Sequence, residues 1–171
     1  NDVPTLTVSP RERYQPIMGF GGAFTEAAAF TLSKISPEKR MEIIDSYFHP
    51  EKGLGYSLGR THIHSCDFSL GNYTYVEEND EELGTFSIER EHRYVIPFIQ
   101  DAVKARGEEL TILSSPWSPP AWMKTNNEMN ESNEESNISH SNHTQKHNYT
   151  LYKNTNVIPS IHDIAWAPSI G

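Results

Sequence analysis

Hydrophobic and polar positions change character once along this chain. Up to about Thr125, short apolar runs alternate with turn-forming residues; from Asn126 to Asn156 almost nothing aliphatic interrupts a run of Asn, Ser, Glu and His before Leu151. In the first part, Thr5 to Val8 alternates with period two and predicts a short strand. Ile17 to Phe20 predicts another, ending in Gly21-Gly22, where the backbone can bend sharply. A helix is expected over Thr25 to Leu32. The next helix has a marked start, with Ser36 as N-cap, Pro37 at its first position and Glu38 in its first turn. Met41, Ile44, Tyr47 and Phe48 then fall on one face, and Gly53 and Gly55 stop it. Tyr56 to His64 reads as a strand and Ser65 to about Phe86 as a loop. Ser87 can cap a third helix whose buried stripe is Val95, Phe98, Ile99 and Ala102, with Gly107 just past its end. Leu110 to Ser114 is the last clear strand, and Pro116 prevents its continuation.

The order β, α, α, β, α, β implies a parallel α/β sheet joined by helical crossovers, either an open doubly wound sheet or part of a (β/α)8 barrel. A complete barrel needs about 250 residues. A barrel here is therefore a partial (β/α)8 TIM barrel of about the first three strands, followed by a disordered Asn-rich tail. Gly19-Phe20-Gly21-Gly22-Ala23-Phe24 lacks the G-x-G-x-x-G spacing, so nucleotide binding has no support. The expected organisation is an N-terminal strand segment at 1–16, the partial barrel at 17–125, a disordered tract at 126–156 and an unassigned segment at 157–171. The tract cannot bury enough surface to offset the entropy of ordering it.

Composition narrows the function classes. The 171 residues carry a net charge of −9, which argues against a phosphate-backbone partner such as nucleic acid. No apolar run approaches the roughly 20 residues of a membrane span. Cys66 is the single cysteine, so no intrachain disulfide is possible. Asn1 rather than Met stands first, with no charged-then-apolar leader. A removed leader and a chain beginning within a longer protein both fit, so secretion is neither shown nor excluded. The tract holds N-x-[ST] triplets at Asn130, Asn137, Asn142 and Asn148, which an Asn/Ser/Thr-rich composition produces by chance.

In a βα fold, chemistry gathers beyond the C-terminal ends of the strands. Those segments here are Gly21 to Glu26, His62 to Phe68 and Ser114 to Trp122. Each brings a carboxylate or an indole to one rim, and together they suggest a carbohydrate pocket: carboxylates accept from hydroxyls and indoles stack on sugar faces. The structural alternatives are equally plain. Glu26 can favour a helix N-terminus, Asp67 can cap a loop, and Trp117 can be core. His62-x-His64 offers a metal-dependent hydrolase as a rival, since residues two apart on a strand share a face. Such a site needs further ligands, and the later histidines, at 140, 143 and 147, lie in the Asn-rich tract. Cys66 reads as a buried structural thiol, with no adjacent cation to lower its pKa. Glu128, in Asn127-Glu128-Met129, lies off any strand and is not a candidate acid.

Three long motifs stand in order: Gly19-Phe20-Gly21-Gly22-Ala23-Phe24-Thr25-Glu26-Ala27-Ala28; Ser57-Leu58-Gly59-Arg60 leading to Ser65-Cys66-Asp67-Phe68-Ser69; and Ser115-Pro116-Trp117-Ser118-Pro119-Pro120-Ala121-Trp122-Met123-Lys124-Thr125-Asn126. From about Val3 to Asn130 the chain resembles glycoside hydrolase family 30, in its animal lysosomal glucosylceramidase branch. The resemblance implies a (β/α)8 barrel with a small β-domain and retaining hydrolysis of the β-glucosyl bond of glucosylceramide, without a cofactor. By the same resemblance Asp67 binds glucosyl hydroxyls, Trp117 and Phe68 line the sugar subsite, and Arg60 supports the catalytic carboxylates from below. It also implies a saposin-type activator, a lysosomal or secretory address, and contact with a membrane surface only through the lipid substrate. The family's acid/base and nucleophile are glutamates on later strands, the first in an Asn-Glu-Pro motif, and no Asn-Glu-Pro occurs in this sequence. Catalytic residues are therefore expected to be missing and the chain alone inactive, with a non-catalytic carbohydrate-binding remnant as the alternative. Ile161 to Pro168 has a short similarity to the start of a β-propeller blade.

Overall fold

The computed structural model describes residues 4–124, 126–129 and 150–152. Three parallel strands, β1 (Gly21–Phe24), β2 (Leu58–Ile63) and β3 (Thr111–Pro116), lie side by side in chain order. Helices α1 (Glu26–Ser33) and α2 (Pro37–Phe48) connect β1 to β2. A 3-10 turn (Glu89–Arg93) and helix α3 (Val95–Arg106) connect β2 to β3. This is the beginning of a barrel, with the element order expected from the sequence.

The helices start and stop where their caps dictate. Thr25 Oγ1 accepts from Ala28 N at 3.2 Å and Ser36 Oγ accepts from Lys39 N at 3.3 Å. Gly107, at φ 67°, closes α3. Ser87 does not cap α3, whose N-cap is Tyr94; its hydroxyl accepts from Glu89 N at 3.2 Å, two residues on, at the entry to the 3-10 turn. The helices then bury one apolar layer against the sheet. Phe24 lies at its centre, 1% exposed, stacked on Phe48 at 5.5 Å and edge-on to Phe98 at 4.8 Å. Ala29, Ile44, Val95, Ala102 and Leu110 complete the cluster. Gly59 makes the layer possible: a Cβ there would stand 2.3 Å from Phe24 Cε2 and 2.9 Å from Ile112 Cδ1. Since neighbours alternate across a strand, Gly59 faces the helices and Arg60 the opposite face. The bond from Arg60 Nε to Ser115 Oγ at 2.9 Å marks that second, barrel-interior face.

Several expectations need correction. Thr5 to Val8 is not a strand in the structure, and Leu6 and Val8 are exposed, because alternation alone, without a place in the sheet, does not make a strand. The first barrel strand is Gly21–Phe24, not Ile17 to Phe20, because the register sets Gly21 opposite Leu58. Tyr47 is half exposed beside Tyr56 instead of joining the buried stripe. β3 runs on to Pro116, which sits opposite Ile63 and, lacking an N–H, ends the ladder.

The tract expected to be disordered lies mostly outside the described residues, as do residues 157–171 and the propeller-like Ile161 to Pro168. Within the tract, Met129 O accepts from Ser118 Oγ at 2.6 Å and Lys124 Nζ at 3.2 Å, folding residues 126–129 onto the segment after β3. A fourth strand, β4 (Thr150–Tyr152), pairs antiparallel with β3 at Ile112 to Ser114. The edge of β3 offers unpaired backbone groups, and Thr-Leu-Tyr is a strand-favouring triplet. Being antiparallel, β4 does not continue the parallel barrel.

Candidate functional site

The C-terminal ends of β1, β2 and β3 point to one rim, and each exit is shaped differently. After β2, Ile63 is the last strand residue; His64 turns away at φ 62°. Two residues later, from Cys66 to Ser69, the backbone closes a tight turn, with Ser69 N donating to Cys66 O at 3.0 Å and Cys66 N to Ser69 Oγ at 3.0 Å. Asp67 and Phe68 occupy its two central positions, both exposed, Phe68 by 57%. The Asp67 carboxylate has no partner among the described residues. Cys66 is half-buried, not fully buried, with the Ser69 hydroxyl 3.7 Å from Sγ.

After β3, Trp117 leaves its indole 45% exposed, beneath which the Arg60 guanidinium lies 4.9 Å from the ring centroid. A guanidinium over an indole face is a cation–π contact; with the Ser115 bond it fixes Arg60 between Ser115 and Trp117, two positions apart at the rim. The structure thus joins Arg60 to Trp117 directly and puts Asp67 and Phe68 on the neighbouring exit.

Glu26 does not face the rim as a free carboxylate. It is 3% exposed and accepts from Leu70 N at 2.7 Å, from Arg90 Nε at 3.1 Å and from Arg90 Nη2 at 3.2 Å. A second buried carboxylate, Glu91, accepts hydrogen bonds from both phenols nearby: from Tyr73 Oη at 2.5 Å and from Tyr75 Oη at 3.1 Å. Burial first, with Glu91 adding to it, raises both phenols well above their usual range, so they remain donors. Arg90 also lies over the Tyr73 ring at 4.1 Å. Sequence reasoning left Glu26 ambiguous and missed Arg90, Glu91, Tyr73 and Tyr75, whose partners lie up to 64 positions away. The alternating Tyr73-Thr74-Tyr75 was the one local signal.

The paired-histidine metal reading is not supported. With His64 off the strand, the two imidazoles do not share a face. His62 Nδ1 is 2.7 Å from the His64 carbonyl, so it must donate there, and it is 3.3 Å from Tyr73 Oη. His64 Nδ1 accepts from Tyr75 N at 3.0 Å, and burial holds this imidazole down at about 4. Both rings are occupied by the loop they begin. No group of three His, Cys, Asp or Glu suited to a metal exists among the described residues. His62 Nε2 is buried without a partner among them.

No described helix is long and apolar enough to cross a membrane. The profile of the glycosyl hydrolase family 30 TIM-barrel domain matches residues 17–155, extending past Asn130 into the Asn-rich tract. The chain is 38% identical to lysosomal acid glucosylceramidase of Mus musculus over 127 residues, covering 73% of this chain and 24% of that protein. It is 41% identical to putative glucosylceramidase 3 of Caenorhabditis elegans, again over 73% of this chain and 24% of the relative. It therefore spans about a quarter of the length of the curated relatives it matches. Among solved structures, SrfJ from Salmonella typhimurium superposes with a TM-score of 0.65 at 43% identity, over 71% of this chain and 27% of the other. An endo-β-1,6-glucanase superposes at 0.62 with 31% identity, over 71% and 26%. Three parallel strands with helical crossovers, matched over most of their length to one TIM-barrel profile, establish that the chain belongs to glycosyl hydrolase family 30.

Proposed function

We propose that this chain forms the glucosyl-binding side of a retaining β-glucosidase of the glucosylceramidase type. Asp67 accepts hydrogen bonds from ring hydroxyls, Trp117 stacks on the apolar face of the sugar, and Phe68 borders the same subsite. Arg60, braced by Ser115 and Trp117, holds positive charge beneath the position of the catalytic carboxylates. The observation that carries this reading is Asp67, unpaired among the described residues, at the centre of the turn after β2, with an arginine-braced indole on the next exit.

Retaining hydrolysis requires two carboxyl groups about 5–5.5 Å apart, one protonating the leaving oxygen and the other attacking the anomeric carbon. Among the described residues, neither buried carboxylate of the sheet's surroundings is free for these roles: Glu26 is committed to Arg90 and Leu70, and Glu91 to two tyrosines. We therefore assign the chain substrate positioning without catalysis of its own. Glucosylceramide as the substrate is supported by 38–41% identity to glucosylceramidases. The likeness to an endo-β-1,6-glucanase favours a second reading, a β-glucan as substrate, which shares the glucosyl subsite and differs in what lies beyond the scissile bond. A lysosomal or secretory address is supported by the name of the mouse relative, and a saposin-type activator by the family resemblance alone.

The test is turnover. The purified chain, folded by circular dichroism, is expected to release p-nitrophenol from p-nitrophenyl β-D-glucoside no faster than buffer. Measurable release that survives further purification would overturn the assignment of a non-catalytic role.

A further inference from the structure

The turn that presents Asp67 and Phe68 has no regular element to hold it, yet one of its carbonyls and the amide just beyond it are fixed on the first turn of α1. Ala27 N donates to Phe68 O at 3.0 Å, and Leu70 N donates to the Glu26 carboxylate at 2.7 Å. These bonds bracket Ser69 and fall immediately after Asp67 and Phe68. Glu26 is 3% exposed, whereas its partner Arg90 keeps 40% of its side chain in solvent. A carboxylate buried this far persists only if it is paired and fully hydrogen-bonded, and here the pairing spends one oxygen on a loop amide. An amide bonded to a carboxylate is also held more tightly than one bonded to a neutral acceptor.

We propose that Glu26, neutralised by Arg90, is a positioning residue for substrate binding: it sets the Cys66–Ser69 turn, and with it the direction of Asp67 and Phe68. It touches no substrate and acts through the Leu70 amide. The inference rests on the reading of Asp67 as a hydroxyl-binding carboxylate, but the anchor can be measured separately. Its physical logic is local pre-organisation. A turn free to sample other conformations binds with an affinity reduced by the fraction of time spent in the competent one. Losing one hydrogen bond to a charged group opens such a turn by roughly 10-fold or more.

The experiment uses the full 171-residue chain in three forms: parent, Glu26→Ala and Glu26→Gln. Amide exchange at Leu70 and Ser69 is followed by NMR, and affinity for methyl β-D-glucoside is measured by titration. Glu26→Ala is expected to expose the Leu70 amide and weaken glucoside binding by roughly 10-fold or more. Glu26→Gln keeps an acceptor for Leu70 and leaves a half-exposed Arg90 that water can solvate. It is expected to hold the amide protected and the affinity within about threefold of the parent, a difference of less than about 0.7 kcal/mol. If Leu70 remains protected in Glu26→Ala, the anchor is refuted whatever the affinity. If Leu70 opens while affinity is unchanged, the positioning role is refuted and the anchor is merely structural. If the folded parent binds no glucoside but Glu26→Ala still opens Leu70, the functional reading fails and the positioning role fails with it.

Discussion

Gly59→Ala tests the packing that makes a sheet of these strands. The new Cβ would stand 2.3 and 2.8 Å from Phe24 Cε2 and Cδ2, and 2.9 Å from Ile112 Cδ1. Ile112 Cδ1 ends a flexible side chain and can rotate away. Phe24 cannot, being 1% exposed and wedged between Phe48 and Phe98. Restoring ordinary carbon–carbon separation requires a ring shift of roughly 1 Å. Overpacking of this kind costs about 1–3 kcal/mol. The unfolded chain loses freedom when Gly becomes Ala, which offsets about 0.4–1 kcal/mol. The net expectation is a destabilisation of about 1–2 kcal/mol, read as a lower urea midpoint at unchanged slope. Because the cost arises at one ring, Phe24→Leu in the same chain should relieve part of it, giving a coupling of at least about 0.5 kcal/mol in a double-mutant cycle. A Gly59→Ala chain as stable as the parent, or strictly additive costs, would refute the argument.

Two further outcomes follow from single side chains. Ser36→Ala removes the acceptor for Lys39 N at the start of α2 and should cost about 1 kcal/mol in urea unfolding. His64 is held at about 4 in the fold against an ordinary 6.5. Between these values the unfolded chain binds the proton and the native one does not, so stability is full above about 6.5 and falls as pH drops towards 4. The loss amounts to about 3 kcal/mol at most. His64→Asn tolerates the positive φ and should flatten that part of the urea midpoint-versus-pH profile; an unchanged profile would contradict the assignment to His64.

What the sequence made legible was whatever is decided within a few residues. Ser36-Pro37-Glu38 announces α2 because a cap is a local hydrogen bond, and Val95, Phe98 and Ala102 announce α3 because a stripe is a local period. β1 was misplaced by four positions because the apolar residues lie in Ile17 to Phe20, while pairing demands residues without bulk: a Cβ on Gly21 would be 1.8 Å from Leu58 O. That requirement belongs to β2 and cannot be seen from β1 alone. The rim is divided in the same way. Asp67 and Trp117 stand out from their places after strands, and Phe68 from the family resemblance, but the groups that hold the Asp67 turn do not. Glu26 meets Leu70 across 44 positions and Arg90 across 64, and nothing local distinguishes a buried, paired glutamate from one that favours a helix start. The histidine pair misled for a related reason: shared faces require a continuing strand, and His64 leaves it at φ 62°.

The most direct test of the account is a titration of the folded chain with methyl β-D-glucoside, followed by the NMR signals of the Trp117 indole and the Asp67 and Phe68 amides. The account predicts saturable shifts at all three, no release of glucose, and affinity lowered roughly 10-fold or more in Asp67→Asn and Trp117→Ala chains of unchanged fold. Shifts absent from these residues, or affinity indifferent to both substitutions, would contradict the claim that this part of a family 30 barrel is a glucosyl-binding surface.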